Sequence, residues 1–110
     1  MNEQVLLKKN ERLIWTAHSR AKMRFYGLSE SRVKKVIRSP ERIERGVALD
    51  TIALMQTAGT AKHPYEIWVM VKDDKSDPKV ISAWRYPGRT KPGEPLPEDI
   101  LREIKIEKNF

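Results

Sequence analysis

A chain of 110 residues has room for one domain and one modest core, and its 39% hydrophobic and 34% charged residues are the balance of a folded chain, not a disordered one. It has no cysteine, which excludes a disulfide framework, a thiol nucleophile and a zinc-thiolate site, and His18 and His63 alone make no persuasive metal centre. The 22 Lys+Arg against 15 Asp+Glu, a net +7, favour RNA, a ribosome or an acidic protein as partner, or simply a well-solvated basic surface.

The longest apolar run, Ile67 to Val71, has five residues, far short of the roughly 20 that a membrane-spanning helix needs. Met1 to Asn10 lacks the apolar core of a signal peptide. The expectation is a soluble cytoplasmic domain with no membrane contact, no metal and no cofactor.

In chain order, residues 1–11 read as an N-terminal extension that ends before a first strand, Arg12 to Ala17. A helix starts near His18, with Ala21, Phe25 and Leu28 on one face of a 3.6-residue period and Arg20 and Arg24 on the opposite side. Gly27 can take the left-handed conformation that ends a helix, with Leu28 closing the cap. Ser29 is a good N-cap for a second helix, and Glu30 suits the positive end of its dipole. Val33, Val36 and Ile37 give that helix an apolar stripe, and Pro40 stops it.

Four further strands follow. Glu41 to Val47 places Ile43 and Val47 inward, and Thr51 to Thr57 carries apolar residues on both faces. Ala58 to Pro64 reads as a turn or mobile loop bearing His63. Tyr65 to Lys72 is the clearest strand, with Ile67, Val69 and Val71 on one face and Glu66, Trp68, Met70 and Lys72 on the other. Asp73 to Pro78 is a polar hairpin loop, and Lys79 to Tyr86 returns. If Lys72 pairs with Lys79, Glu66 falls opposite Arg85; a one-residue slip puts Arg85 opposite Ile67, and the sequence leaves both registers open.

Residues 87–97 hold four of the seven prolines and two glycines, an extended connector. Residues 98–110 carry Ile100, Leu101, Ile104 and Ile106, the stripe of a C-terminal helix that docks on this sheet, on a second copy as a homodimer, or on a partner. The expected architecture is α+β: two N-terminal helices packed on a four- to five-stranded antiparallel sheet within residues 12–86, plus the C-terminal helix.

The pattern Thr16-x-His18-Ser19-x-x-Lys22-Met23-x-x-x-Gly27-Leu28-Ser29, followed by Val33, Val36, Ile37 and Pro40, resembles a small bacterial and archaeal domain family of unknown function. That family is placed near the RelE/ParE and BrnT toxins of toxin–antitoxin systems. The resemblance covers about residues 12 to 86. Lys22 stands where the family more often has Arg, and Tyr26 where a basic residue often precedes the glycine.

This resemblance implies a RelE/ParE-like fold, one sheet face under the helices and the other open to RNA. It also implies a toxin-like, metal-independent and ribosome-dependent mRNA endonuclease, held inactive by an acidic antitoxin protein. Such cleavage needs a base for the 2′-hydroxyl, a group that stabilises the phosphorane charge and an acid for the leaving oxygen. The catalytic candidates are Arg85 to hold phosphate, Tyr86 to stack on a base or relay a proton, and His18. Arg20, Lys22 and Arg24 would add RNA-binding charge, and Trp68 or Trp84 a stacking surface. Adjacent strand residues point to opposite faces, so Arg85 and Tyr86 serve one site only if the strand bends there. Against these roles, Arg85 could pair with Glu66, Tyr86 could close the core edge, the tryptophans could be packing residues, and His18 could bridge loop or strand backbone. Two other functions stay open: a non-catalytic basic RNA- or protein-binding module of the same fold, and a gyrase-directed toxin like ParE.

Overall fold

The structure, a computed structural model, describes residues 12–46, 50–72 and 77–93. In chain order it contains β1 (Ile14–Trp15), α1 (Ala17–Tyr26), α2 (Glu30–Arg38), β2 (Arg42–Arg45), β3 (Thr51–Gly59), β4 (Pro64–Lys72) and β5 (Lys79–Pro87). The strands form one sheet in the order β1-β5-β4-β3-β2. Three pairings are antiparallel, but β1 runs parallel to β5, so the sheet is mixed and the all-antiparallel expectation is corrected. The two helices carry the chain from β1 at one edge to β2 at the other. That traverse, and the three reversals that follow, decide β1's direction relative to β5. Among the described residues no helix follows β5; the expected helix at 98–110, the dimer built on it, the 1–11 extension and Val47 lie outside them.

Thr16 explains why β1 is so short. Its hydroxyl accepts from the Ser19 amide at 3.0 Å, an N-cap that starts α1 one residue later. The same hydroxyl faces the carbonyls of Val80 (3.0 Å) and Ile81 (3.3 Å), which ties the start of α1 to β5. Replacing Thr16 with Val keeps the shape but removes both roles. We expect Thr16→Val to cost about 1–2 kcal/mol in a urea unfolding series.

The cap of α1 forms as anticipated. Gly27 is left-handed (φ 67°), and the Leu28 amide reaches back to the Met23 carbonyl at 2.8 Å. The buried face of α1 is not the one its apolar spacing indicates. Ser19 and Met23 are buried and Tyr26 half-buried, whereas Ala21 is exposed and Phe25 is 76% exposed. Ser19 can be buried because its hydroxyl donates to the Thr16 carbonyl at 2.8 Å. Leu28 lies beyond the helix, so it does not mark the helical stripe. In α2, Val33, Val36 and Ile37 are buried, and Ser29 caps the Arg32 amide.

The helices cover one face of the sheet. Met23, Leu28, Val33, Val36 and Ile37 pack there with Leu54, Ile67, Val69, Val71 and Val80. The other face holds Ala53, Met55, Trp68, Met70, Ile81 and Trp84, none more than 4% exposed. The expected open face is therefore out of solvent. Gly88 to Gly93 crosses its rim: the Thr90 amide and hydroxyl donate to Glu66, and the Gly93 amide donates to Glu44.

The β4–β5 register contains both alternatives left open by the sequence. Lys72 pairs with Lys79 and Val71 with Val80, but Met70 then pairs with Ser82, leaving Ile81 as an extra residue. Beyond this bulge Arg85 lies opposite Ile67, and Tyr86 opposite Glu66. The bulge falls where β1 leaves the edge of β5 and α1 takes its place. No helix among the described residues is long and apolar enough to cross a membrane.

Candidate nucleic-acid interface

Because of the bulge, Arg85 rises from the helix-covered face near the open end of the sheet. Its guanidinium carbon lies 4.9 Å from the ring centroid of Tyr65, two residues before Ile67 on the same face of β4. Gly59 of β3 flanks Tyr65 on the other side. A Cβ at Gly59 would run into the His63 carbonyl oxygen and come within 2.9 Å of the Tyr65 ring, and its φ of 85° is strained for any other residue. The ring is thus held between a bare backbone and a guanidinium. Gly59→Ala should cost more than about 1 kcal/mol in a thermal melt and displace the ring on which Arg85 rests.

Arg85 has no carboxylate partner among the described residues, and its Nε is buried without an acceptor. Arg32 of α2 stands on the other side of Ile67. Its Nη1 donates to Gln56 Oε1 at 2.7 Å, and Gln56 in turn donates to the carbonyls of Lys35 and Ser39. Gln56, Ile67 and Arg85 form one row across β3, β4 and β5. The Cα atoms of Gln56 and Arg85 are therefore roughly 10 Å apart, two strand spacings. Arg89, on the chain leaving β5, donates to the Tyr65 carbonyl at 2.6 Å. Lys35 and Arg38 are exposed on α2, Lys34 is half-exposed, and none has a carboxylate partner among the described residues.

The residues singled out from sequence are scattered. Tyr86 packs against the Trp68–Trp84 cluster on the face opposite Arg85, and β5 stays extended through both, so the structure does not converge them. His18 Nε2 lies 3.4 Å from Ser82 Oγ, beside the bulge. Arg20 pairs with Glu30 at 2.8 Å and lies over Trp15 at 5.4 Å. Lys22 lies over Phe25 and Tyr26, at 5.4 and 5.5 Å. Arg24 is exposed on α1. Trp68 and Trp84 stack in parallel, ring centroids 5.9 Å apart, at 3% and 1% exposure, which leaves no face for a base. Trp68 Nε1 donates to Glu66 Oε1 at 2.9 Å, while Trp84 Nε1 is buried without a partner among the described residues.

Sequence reasoning passed over Tyr65, Arg32, Gln56 and Arg89. Counting back two from Ile67 places Tyr65 on the helix-side face, a usable signal. Nothing in the chain distinguishes Arg32 or Arg89 from other surface arginines. Glu66 is 1% exposed but is committed to Trp68 and Thr90, not to Arg85. The described residues contain no group of three or more His, Asp or Glu side chains placed to hold a metal ion. Comparisons with family models, curated proteins and solved structures found no match to this chain.

Proposed function

We propose that this chain is a basic RNA-binding module that does not cut its ligand, and that it grips single-stranded RNA at the Arg85–Tyr65 end of the sheet. The observation that carries this reading is Arg85 itself. A guanidinium held over a tyrosine ring, with no carboxylate partner among the described residues, is arranged to receive an oxyanion. Its Nε is out of solvent, so an incoming phosphate oxygen would meet the terminal amino groups of the guanidinium instead. The outer face of the guanidinium and the tyrosine beneath it offer a base a stacking plane. Arg32 and the exposed cations of α2 extend the positive surface, in keeping with the net charge of +7.

The divergence of Arg85 and Tyr86 favours binding over cleavage, because one phosphodiester cannot meet both from opposite faces. Fluorescence anisotropy with a labelled single-stranded RNA, across a salt series, tests the reading, with a gel of the same RNA after incubation. Saturable, salt-dependent binding that Arg85→Glu weakens at least about tenfold, with the RNA intact, is the expected result. Binding that Arg85→Glu leaves unchanged would move the interface elsewhere, and cut RNA would overturn the non-catalytic assignment.

A further inference from the structure

A cleft of about 400 Å³ opens between the end of α1 and the start of α2. Met23 and Leu28, 5% and 6% exposed, give it an apolar floor, and Arg20 and Arg24 stand one turn apart along its rim. On the far side of that arginine ridge, Ala21 and Phe25 form a second apolar stripe, also one turn apart, with Phe25 76% exposed. The surface is thus a basic ridge with apolar ground on both sides. A phosphate backbone would use only the ridge. An acidic peptide with apolar side chains flanking its carboxylates would use all three stripes.

We propose that this cleft docks an acidic peptide segment, which sets carboxylates against Arg20 and Arg24 and inserts an apolar side chain over Met23 and Leu28. The mode is that of an amphipathic segment laid in a groove, with charge setting its orientation. Arg24 has no carboxylate partner among the described residues, so it is available at once. Arg20 is paired with Glu30, but both side chains are 46% exposed. A pair so open to water is weak, and an incoming carboxylate can take the place of Glu30 at little cost. Gly27 helps, because nothing beyond its own neighbours in the chain lies within 4 Å of where its Cβ would stand, leaving the corner between the helices clear. This surface is separate from the Arg85–Tyr65 end, and the inference does not rest on RNA binding.

The test uses the full chain, ¹⁵N-labelled, and a synthetic Glu-rich peptide with Leu at helical spacing. A version with every Leu replaced by Ser and a single-stranded RNA serve as competing probes. The expected result is saturable binding with amide shifts centred on Arg24, Phe25 and Leu28. Affinity should fall about tenfold for Arg24→Glu and for the Ser peptide, and severalfold for Phe25→Ala. Lys62→Glu, an equal charge change on the exposed β3–β4 turn, should cost less than about twofold. Arg24, Phe25 and Lys62 are all exposed, so these variants should keep the wild-type circular dichroism spectrum. Equal binding of the Ser peptide, an equal loss from Lys62→Glu, or no saturation at millimolar peptide would overturn the proposal. So would cleft shifts produced by the RNA and not by the peptide.

Discussion

Glu66→Ala should lower stability by about 3–5 kcal/mol, the largest effect expected of any single polar substitution in this fold. Glu66 is 1% exposed and accepts from Trp68 Nε1 (2.9 Å), the Thr90 amide (3.0 Å) and the Thr90 hydroxyl (2.8 Å). Alanine strands a buried indole donor and frees the segment that crosses the rim of the second face. Arg42 is drawn in as well. It donates to the Thr90 carbonyl and hydroxyl, lies 5.0 Å from the Trp68 ring, and keeps its Nε 3.0 Å from Glu44 Oε2, an ion pair off the line of a hydrogen bond. Native domains hold only about 5–15 kcal/mol in total, so such a loss takes a large share. Urea denaturation should show the midpoint fall with little change in m. Glu66→Gln should cost less, because its amide oxygen can still accept while its NH₂ meets a donor. A loss below about 1 kcal/mol for Glu66→Ala would show that Thr90 is held by other interactions.

Arg85→Glu should weaken single-stranded RNA binding by about 1.5–3 kcal/mol, roughly ten- to a hundredfold at moderate salt. The substitution replaces a phosphate donor with a like charge at the same position. The slope of log affinity against log salt should flatten by about 0.7 for each phosphate that is no longer neutralised. Arg85→Lys separates two contributions. It keeps the charge and most of the slope, but an ammonium lacks the guanidinium's plane and forked donors, so affinity should fall to an intermediate value. Stability is followed in parallel by thermal melts, since either variant removes a half-buried guanidinium and its contact with Tyr65. If Lys behaves as wild type, the stacked geometry is irrelevant and only charge matters.

Local features could be read from the chain because their physics is local. Gly27 and Ser29 act at the next few residues, Val33, Val36 and Ile37 share a helical stripe, and Ile67, Val69 and Val71 alternate along one strand. The phase of α1 was misleading for a reason visible only in three dimensions. Phe25 outranks Ser19 in hydrophobicity, yet Ser19 carries its own acceptor in the Thr16 carbonyl and can be buried, while Phe25 stays outside. Trp68 and Trp84 could not be assigned to packing or to ligand from sequence, since an aromatic residue on a strand suits both. Only burial of the second sheet face decides between them.

Residue chemistry within one or two turns of backbone was enough to specify a basic α+β chain without cysteine, its two helix boundaries and the alternation of β4. Long-range packing was needed to make β1 run parallel to β5, to cover both sheet faces and to leave Ile81 as an extra residue. The extra residue places Arg85 over Tyr65 and turns Tyr86 away. A one-residue bulge has almost no signature in the chain, because it arises where an edge changes neighbour from strand to helix, and strand pairing reverses every side chain beyond it.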